Sequence, residues 1–281
     1  MSPVIITVVL TAACLHAVWN ALIKISGDRL VVMAVTTALA SILVIPALFV
    51  LPLPAVESWP YLLASACIHS FYMLLLVRAY SHGDFTQIYP LARGSAPLLT
   101  ALLGFLLLGE ALQVSEMVGM FLVIAGIFAI SLERADGVRQ LSAAALFYSL
   151  LTGFFITSYS LVDGVGARLA GNSHSYTAWM FLLDGFLVPA VAVWRRPGPV
   201  LWASIAQVWK SGVLVALMST AGYWLIIWAF TQERIAPVAV LRETSVLFAM
   251  LISILALGEK VSGRRIVIIL VVVNGVVLLG I

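Results

Sequence analysis

Charge is scarce in this chain. Of its 281 residues only 10% are Asp, Glu, Lys or Arg, against about 25% in an ordinary soluble domain. Hydrophobic residues make up 63%. A water-solvated domain of this size has no interior large enough to hide that much apolar surface, so the membrane class follows. Cysteine is nearly absent as well. Cys14 and Cys67 both lie within apolar runs, and neither a disulfide framework nor a metal-ligand spacing is present. Basic clusters are missing too. The net charge of +3 is dispersed, and nucleic acid is not an expected partner. No Walker loop, no H-E-x-x-H pair and no serine–histidine–acid arrangement occurs. Neither catalysis nor a cofactor nor a metal is therefore expected. The opening "MSPVIITVVLTAAC" has no basic residue before its apolar run, which reads as a retained first span rather than a signal peptide.

What the chain does have is ten apolar segments: 3–24, 30–51, 59–80, 85–108, 113–132, 141–162, 175–194, 211–231, 235–257 and 265–281. A spanning helix needs roughly 20 such residues. The breaks between them are short and leave no room for a soluble domain. An all-α integral membrane protein of ten transmembrane helices is expected. Loops after odd-numbered segments hold eleven of the fifteen Lys and Arg, loops after even-numbered ones only Arg168 and Arg234. That asymmetry places the odd loops in the cytoplasm and both termini outside. The remaining two, Arg93 and Arg242, lie inside segments.

Those two arginines mark an internal repeat. "LARGSAPLLTALLGFLLLGE" (91–110) aligns with "VLRETSVLFAMLISILALGE" (240–259), which matches Arg93 to Arg242 and Glu110 to Glu259. Earlier, "KISGDRL" (24–30) aligns with "DGVGARL" (163–169). Segments 1–5 (residues 1–135) thus resemble segments 6–10 (136–281). Five is odd, so the second copy is inverted in the membrane, a common plan for secondary transporters.

With "HAVWNALIK" (16–24), the proline-bearing "YPLARGSAPLLTALLGFLLLGE" (89–110) and its echo ending "LALGE", the chain resembles the drug/metabolite transporter superfamily, in its ten-helix branch with two EamA-type repeats. The His16-Ala17-Val18-Trp19-Asn20 start is similar to a bacterial metabolite-exporter subgroup associated with phosphonate use. The resemblance implies a bacterial inner-membrane transporter with a small-molecule substrate and no enzymatic activity. The second copy departs from the pattern, because Ala239-Val240 replace Tyr89-Pro90 and Val246 replaces Pro97.

Arg93 lies about 12 Å into segment 4, and Arg242 about 10 Å into segment 9, entering from the opposite side. A charge there needs a wet cavity or a partner. Either the pair contacts an anionic substrate, for which guanidinium suits carboxylate or phosphate, or each is neutralised by Glu243 or Asp184. Asp184 and Glu243 are read as candidates for proton or charge coupling, and as candidate arginine partners. Pro90, Gly94 and Pro97 are expected to break helix 4, since proline donates no hydrogen bond to the preceding turn. His16, Trp19 and Asn20 share a helix face, as do His69 and Tyr72, and Trp224 and Trp228. With Tyr89 and Tyr159 they are expected to line a largely apolar cavity with polar tips. For each, packing in the core or an interfacial belt is the competing assignment. Glu110 and Glu259 read as loop or helix-start residues. Segments 5 and 10 read as scaffold or as homodimer contacts. The function expected is export of a small metabolite with an anionic group, an amino acid or carboxylate, or a phosphonate or phosphate compound. Proton or counter-substrate coupling is included. Export of cationic drugs and a role in lipid-linked sugar flipping are the alternatives.

Overall fold

A computed structural model describes residues 1–25, 28–79, 85–131, 142–257 and 263–280. Among these the secondary structure is helical: α1 (Pro3–Ile25), α2 (Arg29–Val50), α3 (Trp59–Ala79), α4 (Phe85–Leu108), α5 (Val114–Ser131), α6 (Ala143–Leu169), α7 (Ser173–Asp184), α8 (Leu187–Arg195), α9 (Gly198–Gln232), α10 (Ile235–Arg242), α11 (Ser245–Leu257) and α12 (Gly263–Gly280). A single 3-10 turn, Val56–Ser58, precedes α3. The ten expected segments are present. Segment 7 is built from α7 and α8, and segment 9 from α10 and α11. Five stretches are long and apolar enough to cross a membrane on their own, among them 3–23, 143–169 and 198–232; shorter apolar helices complete the set.

Helix ends follow the local sequence. Asp28 caps α2 by accepting from the Leu30 and Val31 amides, and Asn172 caps α7 through His174 and Ser175. Gly109 and Gly171 take positive φ, at 67° and 73°, just beyond α4 and α6, where side chains are disfavoured.

The packing is symmetric between the halves. α3 lies on α6 as α9 lies on α1, and α4 packs against α6 as α10 and α11 pack against α1. α2 contacts α9 much as α7 and α8 contact α3, while α5 pairs with α12. Exchanging segments 1–5 for 6–10 therefore maps these main helix contacts onto one another. The two five-helix repeats surround a shared centre, with α5 and α12 outside it. Those two helices meet backbone to backbone, since a Cβ on Gly119 would fall 2.7 Å from the Gly275 carbonyl, and the reverse also holds. This is the scaffold assignment for segments 5 and 10.

Several boundaries differ from the sequence reading, and α9 is one of them, since it starts at Gly198 where segment 8 was expected from 211. α4 runs unbroken through Pro90 and Pro97, so the expected break there is corrected. A helix in a membrane tolerates proline when neighbouring groups re-satisfy the freed backbone. The breaks fall instead on segment 7, at Gly185-Phe186, and on segment 9, at Glu243-Thr244. At the first, the Ser41 hydroxyl of α2 lies 2.7 Å from the Phe181 carbonyl and 3.1 Å from that of Leu182, and so supplies a donor the helix loses. At the second, the amides of Glu243 and Thr244 bond to Val240 and Leu241 in 3-10 fashion. Finally, α6 continues seven residues past its expected end at 162. Gly164 and Gly166 look like turn residues in sequence. In the fold they are close-approach positions, where a Cβ would meet Ile235 at 2.3 Å and the Tyr176 ring at 2.5 Å.

Candidate functional site

The symmetric packing of segments 1–3 around 6–8 leaves a cavity of about 110 Å³, space for several waters or a small solute. Its wall contains seven of the residues chosen from sequence: His16, Trp19, His69, Tyr72, Tyr159, Asp184 and Arg242. α1 delivers His16 and Trp19 from one face, their rings edge to face at 4.7 Å. α3 delivers His69 and Tyr72. The imidazole of His69 stacks on Tyr159 of α6 at 4.2 Å, and Arg242 lies over the same tyrosine ring at 5.8 Å. Both helix breaks abut the cavity, since Asp184 ends α7 and Arg242 ends α10. Most of the remaining wall is apolar or aromatic, with Phe181 and Met33 among it.

The two arginines divide their roles. Arg93 is 2% exposed and bonds through Nε to Glu243 Oε2 at 2.6 Å. It is absent from the cavity wall, in which it was expected with Arg242 as a substrate contact. Arg242 Nε is 3.5 Å from the other Glu243 oxygen, without hydrogen-bond geometry, and has no acceptor in the protein. One carboxylate therefore serves two repeat-related cations, because Gly94 occupies the place on α4 that Glu243 holds on segment 9. Gly94 itself packs beneath the Phe128 ring, 2.7 Å from where its Cβ would stand, and Pro97 is buried.

Other expected residues lie elsewhere. Asn20 turns back onto its own helix, its amide donating to the His16 carbonyl at 2.7 Å. Trp224 donates to His174 Nδ1 at 2.8 Å. Trp228 lines a separate open depression with Asn172 and Gln232. The rings of Tyr89 and Pro90, and all of Glu259, lie outside the described residues. Glu110 has the expected helix-start role: Oε2 accepts from the Ile235 amide at 2.9 Å, and Oε1 from Arg168 at 2.8 Å.

Asp163 is the residue sequence reasoning missed. It is fully buried, and it accepts from Tyr176 at 3.0 Å and Tyr223 at 2.5 Å while lying 3.0 Å from His69 Nε2. Ending segment 6 at 162 had placed it in a loop. Its spacing of four from Tyr159, continuing the buried face through Ile156, was the signal available.

Polar ties between the repeats gather at the end where α4 meets α5 and α9 meets α10. Arg168 bonds Glu110 and the carbonyls of Phe230 and Glu233. Arg234 bonds Glu116 and the Ala111 carbonyl. At the opposite end Arg196 pairs with Asp28 at 2.7 Å.

Comparison with known proteins gives two findings. The model of the EamA-like transporter family matches twice, over residues 3–132 and 143–281. A solved structure titled only "Crystal structure of protein" is similar in fold, with a TM-score of 0.74 at 16% identity over 99% of this chain and 96% of that one. No curated protein matches.

Proposed function

The chain belongs to the EamA-like transporter family, and from that premise we propose that it exports a small polar metabolite bearing an anionic group across a bacterial inner membrane. It is a multi-pass membrane protein and a drug/metabolite transporter, not an enzyme. The observation that carries the substrate reading is Arg242. Among the described residues it is the arginine in the cavity wall, and its Nε–H has no acceptor. A buried guanidinium donor left without an acceptor is costly unless a ligand in the adjoining cavity draws the side chain onto its own acceptors. A carboxylate, phosphonate or phosphate group supplies the matching acceptors. The aromatic wall of Trp19, Tyr72 and Tyr159 encloses the rest of the solute.

Alternating access is proposed through rocking of the repeats about this chamber. The motion opens either the Arg168–Glu110 and Arg234–Glu116 ties or the Arg196–Asp28 tie. Each joins one repeat to the other, so each can open and close with their relative motion. The basic-loop asymmetry puts the Arg168 end outside. Homodimer contacts are proposed on the lipid-facing flanks of α5 and α12, since their glycine faces are already used within the chain.

A thermal-shift screen of carboxylates, amino acids and phosphonates on the purified protein tests the substrate reading, because a ligand at 100 times its Kd stabilises by about 2.7 kcal/mol. An anionic hit is expected to lose its shift in Arg242→Gln. An undiminished shift in that variant rejects Arg242 as the anion contact. Asp184 favours a second reading. Its Oδ1 has no partner and it lines the same cavity, an arrangement suited to a cationic drug. Hits confined to cations, lost in Asp184→Asn and kept in Arg242→Gln, select that alternative.

A further inference from the structure

Two guanidinium and three carboxyl side chains are buried around the cavity: Arg93, Arg242, Glu243, Asp163 and Asp184. Two cations thus face three carboxylates. Glu243 lies between the arginines. Asp163 and Asp184 are the other two, and the titratable group beside both is His69. His16 stands instead near Arg93 and Arg242. The phenols of Tyr72, Tyr159, Tyr176 and Tyr223 complete the polar surroundings.

The hydrogen bonds assign the protons. Tyr176 and Tyr223 donate to Asp163, and the network places a proton on His69 Nε2 that points at the same carboxylate. Three donors thus converge on Asp163, whose oxygens act as acceptors. Asp184 is different. Ser70 hydrogen-bonds its carboxyl, but Oδ1 is buried with no protein partner, in a residue that lines the cavity and is 6% exposed. With His69 neutral, the buried set carries one negative charge too many, a state that costs several kcal/mol in hydrocarbon. One proton removes it.

We propose that the cavity stores a single exchangeable proton, shared between Asp184 and the His69–Asp163 dyad, and that this proton is the ion coupled to transport. In one form it sits on Asp184 Oδ1, with neutral His69 donating Nε2–H to Asp163. In the other it sits on His69 Nδ1, and the imidazolium pairs with Asp163 while Asp184 faces the cavity as a carboxylate. The exchange moves one proton and no other group, and both forms are neutral as a set. A cationic group entering beside Asp184 replaces the proton. An anionic group on Arg242 retains it. Substrate charge therefore decides whether the proton moves against the solute or with it. The coupling rests on the transporter reading above; the proton site does not.

The test uses the full chain in lipid nanodiscs without substrate, titrated while the carbonyl stretch of protonated carboxylic acid is followed by infrared difference spectroscopy. One acid band is expected to grow as pH falls. Asp184→Asn removes it. His69→Gln and Asp163→Asn move its midpoint by about one pH unit or more, the size of a close charge partner's effect. Tyr223→Phe, which keeps the ring and removes one donor, moves it less. A band that persists in Asp184→Asn, or a midpoint unmoved in His69→Gln, overturns the proposal. Should Asp163→Asn fail to fold, His69→Gln carries the test, because glutamine still offers Asp163 a donor. Loss of every anion-induced shift alongside an intact titration refutes the substrate reading alone; an absent titration alongside normal anion binding refutes the proton site alone.

Discussion

Replacing Glu243 by Gln removes one negative charge from between two buried cations. Glu243 is 0% exposed and Arg93 3% exposed at the side chain, and they meet at 2.6 Å. The single substitution takes away the carboxylate of a buried pair while its arginine stays in place, a change that costs about 3–5 kcal/mol. Arg242, 3.5 Å from the second oxygen, loses this carboxylate neighbour as well, which argues for the upper half of that range. At about 2 °C per kcal/mol for a chain of this size, the thermal midpoint falls by roughly 6–10 °C. Arg93→Met with Glu243→Gln restores much of the loss, because the arginine that lacked its carboxylate is gone and a similar volume is filled. A double-mutant cycle on the purified protein, read by thermal unfolding, measures the coupling. It is expected to be at least about 2 kcal/mol. A Glu243→Gln variant within about 0.5 kcal/mol of wild type, or additive single and double variants, refutes the ion pair as the reason for two charges behind the cavity wall.

Gly119→Ala and Gly275→Ala each force a Cβ to within 2.7 Å of a facing carbonyl, and are expected to lower stability by about 1–3 kcal/mol in a thermal melt. Gly198→Ala, with nothing within 4 Å, serves as the unaffected control. Glu110→Ala removes both the acceptor of the Ile235 amide and the Arg168 partner, costing about 1–3 kcal/mol. Glu110→Gln keeps an acceptor oxygen and loses only a pair whose arginine is 34% exposed, so it costs under about 1 kcal/mol. Equal losses in the two variants argue against the helix-start role. A C-terminal reporter active only in the cytoplasm is expected to stay silent; activity there reverses the orientation.

Hydropathy by itself determined the membrane class and the ten segments, because each span must be apolar over most of its length whatever its neighbours are. The paired arginines exposed the repeat, since arginine inside a span is rare enough for a match to carry information. The candidate site was legible where it lay on regular helix faces: His16 with Trp19, and His69 with Tyr72, at three-residue spacing. Tertiary structure decided the rest. Pro90 and Pro97 could not reveal that α4 stays whole, because the cost of a proline depends on which neighbours satisfy the freed backbone. Gly164 and Gly166 could not be told from turn glycines until Ile235 and Tyr176 were seen against them, and Asp163 was lost with them. Nor could the sequence choose between Arg93 and Arg242. The two arginines are equivalent in the repeat, and only the position of one carboxylate, Glu243, where the other copy has Gly94, holds Arg93 behind the wall and leaves Arg242 facing the cavity.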